Sequence, residues 1–201
     1  MPTQAQYGAR SRPVCRYAAA ELFHMLRKLL HLLIPALLCT ALLAEAVYQE
    51  PDDFLRETFS GNTPEPAVIW LSGERKEFAR QLLGHRYPSL RVRYWRQNQR
   101  SAWVLEEIGK DLPITIGLVI NDGLLEQIKV LVFRESRGWE IRHPFFTDQF
   151  RGARLDEDNA LDRGIDGISG ATLSVRAMEK IATLALFLDA ELRKQDVAPS
   201  P

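Results

Sequence analysis

Ile114-Thr115-Ile116-Gly117-Leu118-Val119-Ile120, then Asn121-Asp122-Gly123, then Ile128-Lys129-Val130-Leu131-Val132-Phe133 is the stretch on which the fold depends. Two β-branched, apolar runs flank a short polar break. Asn or Asp before Gly accepts positive φ, so the break predicts a tight turn and the whole stretch a β-hairpin. Upstream, Leu90, Val92 and Tyr94 alternate with Arg91, Arg93 and Trp95, the period of a half-buried strand. Val68 to Leu71 and Ala102 to Ile108 read as further strands. Ser72 is placed to cap a helix over Gly73 to Leu83, with Phe78, Leu82 and Leu83 on one side and Gly84 as its stop. Downstream, Glu135 to His143 reads as a loop, Phe145 to Phe150 as one helical turn, and 151–168 as a polar connection. A helix follows from Leu173 to Arg193, with Val175, Met178, Ala182, Ala185 and Leu188 as its apolar stripe. Antiparallel strands with the helices set apart along the chain predict an α+β fold, an antiparallel sheet with flanking helices.

The chain has 201 residues, 46% of them hydrophobic, enough for one core plus a leader. Lys+Arg and Asp+Glu are both 26, which argues against a protein held to nucleic acid by bulk charge. The arginines around Tyr94 and Trp95 read instead as the exposed side of a strand. Two cysteines exclude a disulfide scaffold. No H-E-x-x-H, C-x-x-C-H or G-x-G-x-x-G occurs, so zinc, c-type haem and nicotinamide cofactors lack sequence support.

Residues 1–46 differ from the rest. Arg27 and Lys28 precede an apolar run, Leu29 to Ala44, that ends in Ala44-Glu45-Ala46. A basic start, an apolar middle and a small-x-small end predict a secretory signal peptide, with Met25 as a candidate true start. The run is short for a membrane span and contains His31 and Pro35; an uncleaved N-terminal anchor is the alternative. Cys15 and Cys39 both lie in this leader, so the mature chain would have no cysteine and would be indifferent to an oxidising compartment. Without the leader, 21 basic residues face 24 acidic ones. The expected organisation is a leader over 1–46, a loose lead-in segment over 47–66, a domain over 67–195 and a tail over 196–201. The expected location is periplasmic.

The chemistry is concentrated in Asp166-Gly167-Ile168-Ser169-Gly170-Ala171-Thr172, which runs straight into the last helix. Gly170 and Ala171 keep bulk away from the backbone. The amides of a first helical turn have no intrahelical partners, and the helix dipole is positive there, so a phosphate at Thr172 would be favoured. The simpler alternative is that Thr172 or Ser174 only caps the helix. The whole string resembles the flavinylation motif of the FMN-binding domain family, Asp-x-x-(Ser/Thr)-Gly-Ala-(Ser/Thr). Average residue usage puts a chance match in a chain this long at about one in a thousand. The family includes the flavin-carrying subunits of the sodium-pumping quinone reductase and of the Rnf complex.

The resemblance implies that Thr172 bears FMN through a phosphoester bond, installed from FAD by a separate flavin transferase. It implies that Asp166 is recognised by the transferase and that Ser169, Gly170 and Ala171 present the hydroxyl. A second, weaker correspondence covers about 114–152. The Rnf-type loop Glu-Thr-Pro-Gly-Leu-Gly stands here as Glu135-Ser136-Arg137-Gly138-Trp139-Glu140, keeping the Glu and one Gly. Glu135, Gly138 and Trp139 are therefore candidate cofactor contacts, with Trp139 and Phe145 or Phe146 to stack on the flavin. Arg137, Arg142 and His143 are candidate donors to the ring; the alternative for Trp139 is a place in the core. The implied function is a periplasmic electron carrier working with a membrane redox protein and no nucleic acid. A flavin-dependent reductase of a small acceptor such as a ferric chelate, and a binding or assembly module that only keeps the fold, are the alternatives. No catalytic residue and no metal ligand are expected.

Overall fold

The computed structural model describes residue 27 and residues 45–197. The apolar run of the leader, with Met25, Cys15 and Cys39, lies outside the described residues. The described chain forms six strands: β1 (Ala46–Val47), β2 (Ala67–Trp70), β3 (Arg91–Gln97), β4 (Arg100–Ile108), β5 (Pro113–Asn121) and β6 (Leu124–Phe133). They make one sheet in the order β1-β6-β5-β4-β3-β2, every neighbouring pair antiparallel. The helices are α1 (Pro51–Thr58), α2 (Gly73–Leu83), the single turn α3 (Pro144–Thr147) and α4 (Thr172–Val197). The architecture is α+β, as the hairpin and the segregated helices predict.

The predicted hairpin is β5–β6. Asp122 and Gly123 both take positive φ, 50° and 76°, which matches the right-handed twist of the strands they join. Side chains along β4 and β5 then alternate between the two faces of the sheet. Trp103, Leu105, Ile114, Ile116, Leu118 and Ile120 face α4, where Met178, Ile181, Ala182 and Ala185 are buried against them. Ala102 and Val119 point to the other face. Phe78 of α2 stacks on Phe187 of α4 with ring centroids 3.9 Å apart, so α2 covers the same face as α4. A buried polar relay fixes α4 to the sheet. Trp103 Nε1 donates to Ser101 Oγ at 2.9 Å, and Ser101 Oγ donates to Asp189 Oδ1 at 2.6 Å. Arg193 Nε stands 3.0 Å from the other Asp189 oxygen.

Residues 47–66 differ from the loose segment the polar, proline-containing sequence suggests. They contain α1, which packs on the second face of the sheet. Pro51 opens the helix, Asp52 and Asp53 sit in its first turn, and Phe54, Leu55 and Phe59 are buried. Pro at the first position and acids in the first turn are helix-start signals. Gly117 makes the docking possible, because a Cβ there would lie 2.8 Å from the Phe54 ring. At the other end, α4 runs to Val197, past the expected end at Arg193. Ala46, the last residue of the expected leader, pairs with Phe133, and Glu45 forms an ion pair with Arg134 at 2.8 Å.

The arginines of the β3 region are engaged within the domain. Arg91 lies over Trp70 at 5.6 Å and Arg93 over Trp95 at 5.9 Å. Arg96 pairs with Asp196 at 2.5 Å, and Arg100 pairs with Glu126.

Candidate functional site

The motif enters α4 through a tight turn. Gly170 has φ 83°, and the Ala171 amide donates to the Ile168 carbonyl at 3.0 Å. The Ala171 carbonyl accepts the first helical bond, from Val175 N–H at 2.9 Å. Ala171 therefore occupies the cap position, and Thr172 is the first helical residue. That geometry excludes Thr172 as the capping residue. The side chain of Ala171 is buried while that of Thr172 is exposed. The alternation turns the hydroxyl-bearing residue to solvent and anchors the one before it. Among the described residues, no side chain accepts from the amides of Thr172, Leu173 and Ser174. Upstream, Asp166 N–H donates to Gln149 Oε1 at 2.7 Å, which ties the start of the motif to the segment after α3.

Two other segments meet this helix start. The first is the loop after β6. Gly138 has φ 89°, and a Cβ there would stand 2.6 Å from Ser174 Oγ and 3.5 Å from the Ala171 Cβ. Glycine is required on both counts. The second is the turn between β4 and β5. Glu135 Oε1 accepts three consecutive amides from it: Lys110 at 2.7 Å, Asp111 at 2.6 Å and Leu112 at 2.8 Å. A carboxylate oxygen that takes three backbone donors is a fixed part of the local frame.

The three segments enclose an open cleft of about 590 Å³. Its walls are Lys110 and Asp111, Glu135 to Arg137, and Gly170 to Ser174. Of the sequence candidates, Thr172, Gly170, Ala171, Glu135 and Arg137 line it. Gly138 supports it from beneath, through Ser174. Asp166 and Ser169 are exposed, upstream of the cleft. Trp139 is also outside it, 43% exposed rather than in the core. The Trp139 ring meets His143 edge-on at 5.4 Å, and the Arg142 guanidinium lies 5.3 Å from Trp139 and 4.6 Å from Tyr48. Phe145 is 64% exposed beside His143. Phe146 is fully buried against Phe150, so it is removed from the stacking candidates.

Lys110 is the cleft residue that sequence reasoning missed. It belongs to no motif, and the β4–β5 register with the Glu135 bonds brings it to Thr172. One signal did exist: a Gly-Lys-Asp turn between two strands, ahead of a glutamate at the end of the hairpin. Further along α4, Lys180 Nζ donates to the Leu83 carbonyl at 2.5 Å and stands 3.8 Å from the buried Glu107 carboxylate. His85 Nε2 is 3.1 Å from the same carboxylate. Burial opposes protonation of His85, but its bonds to the Arg86 carbonyl and to Glu107 outweigh it and raise its pKa.

The donor set suits a phosphate ester. It combines free amides at a helix start, two cations and an exposed hydroxyl, inside a cleft large enough for a mononucleotide. No group of His, Cys, Asp and Glu among the described residues is arranged to hold a metal ion. A comparison with curated proteins gives no match. Residues 109–186, from the Glu135-bound turn to the middle of α4, match the family model described as the FMN-binding domain, and this match supports flavin binding by that part of the chain.

Proposed function

We propose that the protein is a periplasmic electron carrier whose FMN is attached through a phosphoester to Thr172. The observation that carries this reading is the placement of Thr172. It is the first residue of α4, exposed, beside uncapped amides and at the wall of a cleft with Lys110 and Arg137. In maturation, the Thr172 oxygen would bond to the flavin-side phosphorus of FAD. The pyrophosphate bond breaks, AMP leaves, and the hydroxyl proton passes to solvent. A flavin transferase supplies the catalysis, and Asp166, exposed on the approach to the helix, is available for it to recognise.

FMN supplies one- and two-electron chemistry, and the protein supplies attachment, orientation and electrostatics. Covalent attachment suits a compartment where free flavin is lost by diffusion. A membrane redox protein is the proposed partner, and the exposed Trp139 and Phe145 beside the cleft would form part of the contact. The test is intact mass after periplasmic co-expression with a flavin transferase. The expected adduct is about 438 Da, FMN minus water, absent in Thr172→Ala and retained in Thr172→Ser. An unmodified wild-type chain beside a working transferase would remove this reading.

A further inference from the structure

We propose that Arg137, assisted by Lys110, clamps the flavin phosphate in the Thr172 cleft, with Glu135 acting as the latch that holds the clamp in place. The inference rests on the placement of FMN at Thr172, but not on the covalent bond. Arg137 lies between two fixed points. Two residues before it, Glu135 is bonded to the amides of Lys110, Asp111 and Leu112. One residue after it, Gly138 lies against Ser174 and Ala171 at the helix start. Residue 137 is therefore held between these two points, and Arg137 is among the residues that line the cleft.

Two cations, Lys110 and Arg137, stand with two carboxylates, Asp111 and Glu135, so what favours an anion is how each group is engaged. Glu135 lines the cleft, yet one of its oxygens is engaged by three backbone donors, which offset its charge. Among the described residues Lys110 is held only by Asp111, at 3.3 Å with both side chains about 70% exposed, a pair of little strength that a phosphate can displace. Arg137 has no ion pair among the described residues. A guanidinium matches the paired oxygens of a phosphate, whereas an ammonium acts as a point charge, so Arg137 is the principal contact. Gly109 serves the latch as well: a Cβ there would sit 3.2 Å from Glu135 Oε1.

The experiment uses the full chain carrying Thr172→Ala, so that binding is reversible, and titrates it with FMN and with riboflavin, which lacks the phosphate. The expected result is an FMN dissociation constant raised about tenfold by Arg137→Ala and about threefold by Lys110→Ala, as for loss of charge-assisted bonds. Riboflavin binding should stay unchanged. Arg137→Lys should recover part of the loss, and added salt should weaken FMN more in the parent than in Arg137→Ala. The clamp is overturned if Arg137→Ala stays within about twofold of its parent, a change too small for a charge-assisted bond. It is equally overturned if riboflavin loses as much, or if the parent binds FMN no tighter than riboflavin. Intact mass of the Thr172 chain, matured with the transferase, separates the two readings. A phosphate-dependent loss without an adduct keeps the clamp and removes the covalent bond. An adduct without that loss does the reverse.

Discussion

The face of the sheet under α4 and the face under α1 bury side chains on different scales. Under α4, Trp103, Leu105, Ile114, Ile116, Leu118 and Ile120 meet a continuous apolar stripe and the Ser101–Asp189 bond. Under α1, Phe54, Leu55 and Phe59 cover Ala102, Val119 and Leu131. Beyond them opens a groove of about 760 Å³ that Arg91, Arg93, Glu106 and Arg134 help to line. The first face also carries the Thr172 cleft, since α4 begins at Thr172 and the Glu135–Gly138 loop closes on it. The proposed attachment site thus adjoins the deep core, and the shallow face lies away from the cleft.

Truncations on the two faces test this division most strongly. Trp103→Ala removes a fully buried side chain stacked on Tyr94 and hydrogen-bonded to Ser101. It should cost about 4 kcal/mol in urea unfolding and reduce flavin loading with it. Phe54→Ala on the other face should cost about 3 kcal/mol while the folded fraction loads flavin normally. Loading lost equally in both would end the distinction. A smaller effect sharpens it at the cleft. Gly138→Ala should cost about 2 kcal/mol through positive φ and overpacking and slow flavin loading. Ser174→Ala in the same chain should restore part of both, because its hydroxyl is the atom in the way.

The smallest effect concerns the polar edge of the deep face, where His85 meets Glu107. Protonation of His85 is favoured in the folded chain, so its contribution is fully present below about pH 6.5, its ordinary value. It is lost as pH rises through the raised folded value. With the imidazole 37% exposed, solvent screens the pair. His85→Ala should therefore cost about 0.5 kcal/mol near pH 5.5 and almost nothing near pH 9, read from parallel denaturation series. A cost that grew with pH would reverse the assignment.

Legibility along the chain followed local periodicity. The β5–β6 hairpin, α2 with its Gly84 stop, and most of α4 are visible in the sequence because each has its own period or punctuation. α1 was hidden, since eight residues with three acids read as polar, and its buried members find their partners only on a distant sheet face. Within the site, the motif leading to Thr172 was legible as a string. Glu135 and Gly138 were legible as positions of interest, but as cofactor contacts. The structure also engages Glu135 with backbone amides and Gly138 with Ser174. Trp139, left between core and cofactor, proves exposed and paired with Arg142.

By itself the sequence determined what is encoded within a few residues: strand and helix period, the turn at Asp122-Gly123, and the small-residue approach to a hydroxyl at a helix start. Backbone sterics and side-chain alternation act over that range, so no distant contact is needed to read them. Only the tertiary structure decided which segments stand around Thr172. Lys110 and Arg137 reach it through strand register, three amides converging on Glu135, and a glycine that lets a loop approach the helix. Those are contacts between residues about 25 to 60 positions apart, and chain closure over such lengths is selected by packing and hydrogen-bond satisfaction rather than by local preference.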